Sequence, residues 1–182
     1  MAQTARSDGF TLVEMLITMA IIGSTVALAA PTLADVMRAL AVHFASGNLK
    51  SDLLLARVEA VRRNGRVVVC KSDNATQCNP TGTWERGWIV FHDRNNSMQV
   101  DPGEDVIHAQ GPLGNGIAVC GNKPVQQFVS YSPTGRAQLQ NGSWQFGSLY
   151  ICSTASMGCN GYRLGLDANG RVREYKSAKV DC

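Results

Sequence analysis

Gly9-Phe10-Thr11-Leu12-Val13-Glu14 opens an apolar run that continues to Ala34, with Glu14 as its one charged side chain. About 20 consecutive apolar residues are what an α-helix needs to cross the hydrocarbon core of a bilayer. The stretch before it, Met1 to Gly9, is short and polar and carries Arg6 on the flank expected to stay cytoplasmic. A carboxylate inside such a run costs about 2–3 kcal/mol or more unless it finds a partner, so Glu14 needs a reason. Two ordinary readings leave it without one. A secretory signal peptide could end at Ala27-Leu28-Ala29-Ala30, but its apolar region would then contain Glu14, be unusually long, and meet Pro31 just past the cut. A plain single-span anchor leaves Glu14 unexplained.

The chain beyond the run is long enough for an amphipathic helix and one modest globular domain. With 18 Gly and 17% charged residues the composition is that of a globular chain, and a net charge of +3 does not by itself predict a nucleic-acid partner. Cys70, Cys78, Cys120, Cys152, Cys159 and Cys182 all follow the apolar run, and an even number in an exported domain predicts disulfides. About fifteen pairings are possible in principle. Cys70 with Cys78 and Cys152 with Cys159 each bracket a turn rich in Gly, Asn, Ser and Thr, which leaves Cys120 for Cys182. Zinc is disfavoured: the Cys-x2-Cys pairs are missing and His43, His92 and His108 are scattered.

From Leu33 to Val61 apolar residues recur at spacings of three to four, with Arg38, Lys50, Asp52, Arg57, Glu59, Arg62 and Arg63 between them. The pattern predicts that the helix starting near Phe10 continues to about Arg63 and ends at Asn64-Gly65. Pro31 should kink it and Gly47-Asn48 should loosen it. After Gly65 the period changes. Short β-branched or aromatic runs at Arg66–Cys70, Trp88–Phe91, Gln127–Tyr131, Trp144–Phe146, Leu149–Cys152, Tyr162–Leu166 and Arg171–Tyr175 alternate with turn residues such as Asn79-Pro80 and Asn141-Gly142. Closely spaced strands joined by tight turns predict an α+β fold, a long N-terminal transmembrane helix packed on an antiparallel β-sheet domain.

Gly-Phe-Thr-Leu-Val-Glu resembles the type IV prepilin signature. That resemblance implies a peptidase cut after Gly9, methylation of the new N-terminus at Phe10, and a filament in which the Phe10 amine of one subunit neutralises Glu14 of its neighbour. The whole order resembles the GspH/FimT family of pseudopilins and minor pilins. Its further landmarks are Ala56-to-Asn64 at the basic helix end, Gly87-Trp88-Ile89-Val90-Phe91, Tyr131-Ser132-Pro133-Thr134-Gly135, and Asn169-Gly170-Arg171-Val172-Arg173. The resemblance implies a leader at 1–9, a transmembrane and assembly half at 10–34, and a helix continuation with β-domain at 35–182. The protein would sit once through the bacterial inner membrane with its domain periplasmic, then join an extracellular filament, its partners being a prepilin peptidase and other pilin subunits packed through Phe10–Ala34.

The sharpest functional candidate lies at the far end. Asn169-Gly170 reads as a two-residue hairpin turn, after which alternation puts Arg171, Arg173 and Tyr175 on one face of the returning strand. Two guanidiniums about 7 Å apart suit successive phosphates, and arginine suits bidentate phosphate contact. Lys176 and Lys179 follow, with Arg163 and Arg136 as auxiliaries by charge. The bland reading is a solvated, charged strand edge beside Glu174 and Asp167 that discourages aggregation. In the FimT branch a Gly-Arg-x-Arg motif is associated with DNA binding in natural transformation, and Gly170, Arg171 and Arg173 match it. The expectation is a minor pilin that binds double-stranded DNA without sequence preference through Gly170, Arg171, Arg173, Lys176 and Lys179. The alternative is a structural or priming minor pilin, or a pseudopilin of a type II secretion system.

The Asp93-to-Glu104 segment has the oxygen-rich composition of a calcium loop but lacks glycine at its sixth position, so it reads as a hairpin connection. No Gly-x-Ser-x-Gly elbow, phosphate loop or dinucleotide fingerprint is present, and Trp84, Trp88 and Trp144 read as core or sheet cover. No catalytic residue, metal or cofactor is expected.

Overall fold

The computed structural model describes residues 10–154 and 161–177. They fall into two compact units, one ending at Met37 and one beginning at Arg38. A single helix, α1 (Leu12–Arg63, 52 residues), contributes to both. At its start Thr11 Oγ1 accepts the Glu14 N–H at 3.2 Å. Thr-x-x-Glu is capping-box spacing, so the same residues that resemble a processing signature also begin a helix. Thr18, Ser24 and Thr25 donate their hydroxyls to carbonyls three or four residues back, which satisfies them without water. This stretch is long and apolar enough to cross a membrane.

Helical geometry runs unbroken through Pro31 and through Gly47-Asn48, where the sequence predicts a looser turn. Ala45, Ser46 and Leu49 are all buried around that glycine, and packing outweighs its weak propensity. The helix ends in a Schellman motif. Gly65 N–H reaches Ala60 O at 3.1 Å and Asn64 N–H reaches Val61 O at 3.3 Å, with Asn64 in the left-handed region at φ 50°.

The buried stripe of α1 is Val42, Ala45, Leu49, Leu53, Ala56 and Ala60. Leu40, Phe44, Leu54, Val58 and Val61, which share the apolar periodicity, are exposed instead. At about 100° per residue these five lie on the opposite side of the helix. The second half of α1 is therefore apolar on two sides, and only one of them is covered by the described residues.

Among the described residues eight strands follow: β1 (Arg66–Lys71), β2 (Trp88–Asp93), β3 (Val106–Gln110), β4 (Ile117–Gly121), β5 (Phe128–Tyr131), β6 (Gly147–Ser153), β7 (Gly161–Leu166) and β8 (Val172–Ser177). They form two four-stranded sheets, in orders β3-β2-β1-β5 and β4-β6-β7-β8, with every pair antiparallel as expected. The inner faces meet the buried stripe of α1 through Val67, Val69, Trp88 and Val90 on one sheet and Leu149, Ile151 and Leu164 on the other. Trp88 Nε1 donates to Asp52 Oδ2 at 2.7 Å, fastening helix to sheet. The outer face of the first sheet has its own small core of Val68, Ile89, Phe91 and Met98. Central β1 is thus buried on both faces, which is why its Val67-Val68-Val69 run shows no alternation.

Cys70 and Cys78 are joined in a disulfide. Cys120 and Cys152 each also take part in a disulfide; Cys159 and Cys182, the partners expected for them, lie outside the described residues, as do Gly9 and Lys179. The Asp93-to-Glu104 segment connects β2 to β3, and its carboxylates accept the loop's own N–H groups: Asp93 from Ser97 and Met98, Glu104 from Arg94 and Asp101.

At the end of α1, Glu59 accepts Arg62 Nη2 at 2.6 Å and Arg63 Nε at 2.7 Å. These hydrogen bonds hold its carboxyl down to about 2, against an ordinary 4.5. Protons bind the unfolded carboxylate first, so the stabilisation is complete above the ordinary value and drains away as pH falls toward about 2. Glu59→Gln is therefore expected to unfold with a shallower acid dependence between about pH 5 and pH 2, read by circular dichroism; an unchanged slope would discount the cluster.

Candidate nucleic-acid interface

The β7–β8 hairpin closes through Ala168-Asn169-Gly170, three residues rather than the two expected. Asp167 O accepts the Gly170 N–H at 2.9 Å, Gly170 takes φ +76°, and Asp167 N–H donates to Arg171 O at 3.0 Å. This is a type I turn with a glycine bulge, in which the extra left-handed residue restores the strand twist. The Asp167 carboxylate also accepts the Arg171 N–H at 2.9 Å, so the first arginine leaves the turn with its backbone fixed.

Gly170 is pressed against another turn. A Cβ there would lie 2.3 Å from Gly135 O and 3.1 Å from the Tyr131 ring. Arg57 of α1 joins the two turns: its Nε donates to Gly135 O at 2.9 Å and its Nη2 to Asn169 O at 3.0 Å. One guanidinium therefore holds both the Ser132-Pro133-Thr134-Gly135 turn and the arginine-bearing turn. Arg57 was legible as a helix cation but not as this clamp.

Alternation in β8 separates its residues cleanly. Arg171, Arg173 and Tyr175 are exposed, whereas Glu174 turns toward α1 and meets Lys50 Nζ at 3.0 Å and Ser46 Oγ at 2.9 Å. Burial works to raise the Glu174 carboxyl, but those hydrogen bonds and the charges of Lys50 and His43 outweigh it and hold it below the usual range. Glu174 thus does not neutralise the arginines, and among the described residues neither Arg171 nor Arg173 has an ion-pair partner. Lys176 falls on the even side of the strand, opposite Tyr162, and so does not share the Arg171 and Arg173 face. Arg163 does share it: it lies opposite Tyr175 with its guanidinium 5.3 Å from the ring centre.

Sequence reasoning misjudged the segment before β6. Trp144-Gln145-Phe146 makes a single bridge, Gln138 to Trp144, rather than a strand. Trp84 and Trp88 are buried, but Trp144 is 48% exposed and carries Arg136 over its ring at 5.0 Å. Phe146 is 61% exposed beside Arg173 and Tyr175. The buried member is the polar one. Gln145 accepts the Ser130 N–H at 2.9 Å and donates to Pro124 O at 2.7 Å and Phe128 O at 2.8 Å. It fills the edge of β5 beside the Ala137-Gln138 segment that bridges the same edge, which pins its own segment and turns both aromatic neighbours outward.

Comparison with known proteins agrees with this frame. The family model "Type II transport protein GspH" matches residues 45–173, most of the chain, and ends on Arg173. The chain belongs to the GspH family. Residues 4–30 of this GspH-family chain also match the prokaryotic N-terminal methylation motif. A curated relative, the pilin-like protein PilA1 of Thermus thermophilus, is 34% identical over 97 residues, covering 53% of this chain and 55% of its own. The chain therefore spans about half the length of that relative. Among solved structures, the type IV minor pilin FimU of Pseudomonas aeruginosa superposes with a TM-score of 0.55 at 15% identity, covering 76% of this chain and 90% of that one. The minor pseudopilin EpsH of Vibrio cholerae gives 0.53 at 12% identity, covering 78% and 99%. At such identities the likeness concerns the fold, a pilin-like helix and β-domain shared by minor pilins and pseudopilins.

Proposed function

We propose that this chain is a minor pilin of a type IV pilus whose exposed β8 face binds double-stranded extracellular DNA and supports its uptake in natural transformation. The observation that carries the reading is that Arg171 and Arg173 face outward without ion-pair partners among the described residues, while the nearby acid, Glu174, is turned inward onto Lys50. Nothing in that pair of guanidiniums reads bases, so binding is electrostatic and falls with salt. Gly170 fixes the turn, Arg163 and Arg136 extend the positive face, and Lys176 and Lys179 add charge without sharing the aligned row.

The same reading takes Gly9 and Phe10 as the sites of cleavage by a prepilin peptidase and of methylation. Residues 10–34 hold the precursor in the inner membrane with the β-domain periplasmic, and later pack in the filament core with Glu14 neutralised by a neighbouring Phe10 amine. The uncovered stripe Leu40, Phe44, Leu54, Val58 and Val61 supports contact with other pilin subunits, since an apolar helix face seeks cover. The second reading, a type II secretion pseudopilin, is favoured by the wording of the family model. It shares the whole assembly and leaves the arginine face unused.

The test is fluorescence anisotropy with labelled duplex DNA and the full chain in neutral detergent. Arg171→Gln/Arg173→Gln is expected to weaken binding by about a hundredfold, at about 1.5 kcal/mol per charged contact. It should also lower the log–log salt slope by about two. Parent-like binding by the double variant sinks the site. For processing, N-terminal sequencing of the assembled protein should begin at Phe10; a start at Pro31 would show a signal peptide instead.

A further inference from the structure

We propose that the same face stacks unpaired nucleobases and so takes single-stranded DNA in preference to duplex, with Phe146 as the stacking platform; this rests on the DNA-binding reading above. Phe146 from the pinned segment and Tyr175 from β8 stand out from this side of the domain, and Trp144, two residues before Phe146, is exposed as well. A half-exposed phenylalanine forgoes the gain of burial, and a cluster of such rings marks a contact surface. Each neighbouring ring already has a guanidinium on it, Arg136 over Trp144 and Arg163 over Tyr175. Rings interleaved with cations are what a strand of phosphates and bases requires.

Phe146, Gly165, Arg173, Tyr175 and Asp167 line a shallow depression of about 400 Å³. Its floor is at Gly165, directly opposite Arg173 in the sheet, where the missing side chain leaves room for the Tyr175 ring and the Arg163 guanidinium to lie close over the backbone. The Asp167 carboxylate on the rim disfavours an anion inside the depression itself. A neutral base with exocyclic N–H donors suits it, while the phosphates either side meet Arg171 and Arg173. Duplex DNA keeps its bases stacked inside and cannot offer one to Phe146 without the cost of unstacking. The platform is also rigid: the three hydrogen bonds of Gln145 fix the backbone between Trp144 and Phe146.

The experiment compares three labelled oligonucleotides of equal length on the full chain in neutral detergent: single-stranded, duplex, and a single strand of abasic sites. The parent is expected to bind the single strand roughly tenfold more tightly than the abasic one, with Phe146→Ala losing most of that difference and Phe146→Trp keeping it. Because Trp84 and Trp88 are buried, iodide-quenchable emission reports Trp144 and should be shielded by the normal strand more than by the abasic one. Equal binding of normal and abasic strands, or equal loss of both in Phe146→Ala, overturns stacking while leaving phosphate binding intact. Duplex bound more tightly than single strand overturns the preference. Failure of all three to bind overturns the DNA reading itself, and stacking with it.

Discussion

Gly170→Ala is expected to lower the melting temperature by roughly 6–12 °C and to weaken DNA binding although both arginines remain. Two effects add. The residue sits at φ +76°, which costs an alanine about 1 kcal/mol or more, and the new Cβ would meet Gly135 O at 2.3 Å, so one turn must move. A total near 3 kcal/mol corresponds to that shift for a chain of this size. Gly170→Asn separates the contributions, because asparagine tolerates the left-handed backbone but still carries the Cβ. It should be destabilised almost as much. Scanning calorimetry checks the first claim and anisotropy the second. A Gly170→Ala protein that melts like the parent would mean the two turns are not in register as described.

Gln145→Leu should cost roughly 3–5 kcal/mol, more than most surface-adjacent changes, since it keeps the volume and strips three hydrogen bonds from the interior. The Ser130 N–H and the carbonyls of Pro124 and Phe128 would be left unpaired at the edge of β5. Urea denaturation measures the loss, and the released segment should show as a shift in the Trp144 emission. Gln145→Glu keeps the acceptor for Ser130 but loses both donated bonds and buries a charge, so it should be no better. If the leucine variant is as stable as the parent, the edge of β5 has another partner.

Most of the frame was readable from residues, and the failures share a cause. α1 and the strands Arg66–Cys70, Trp88–Phe91, Leu149–Cys152 and Tyr162–Leu166 announce themselves because they lie against the core and their apolar patterns are strong. β3 and β4 did not: both are edge strands with few buried side chains, and unlike the edge strands β5 and β8 they carry no aromatic residue to mark them. An edge strand is held by one ladder and need not look apolar. The turn before Arg171 was misread by one residue, since Asn-Gly suits both two- and three-residue loops; Arg171 still begins the return, but Arg173 faces Gly165 as a result. Gln145 inverted the usual rule. Its burial between two exposed aromatics follows from backbone hydrogen bonds elsewhere in the chain, and no local pattern encodes them. The clamp made by Arg57 escaped for the same reason, its carbonyl partners lying 78 and 112 residues away.

The strict division of labour along β8 has an evolutionary corollary. Val172 and Glu174 answer to α1 and its packing, whereas Arg171, Arg173 and Tyr175 answer only to whatever the surface meets. The outward set can drift or be recruited with little penalty to the frame, while the inward set stays tuned for stability. Fold stability and surface chemistry are thereby separable traits on one strand and the residue that leads into it. A lineage could gain or shed the second by point substitutions alone, without relearning how to fold.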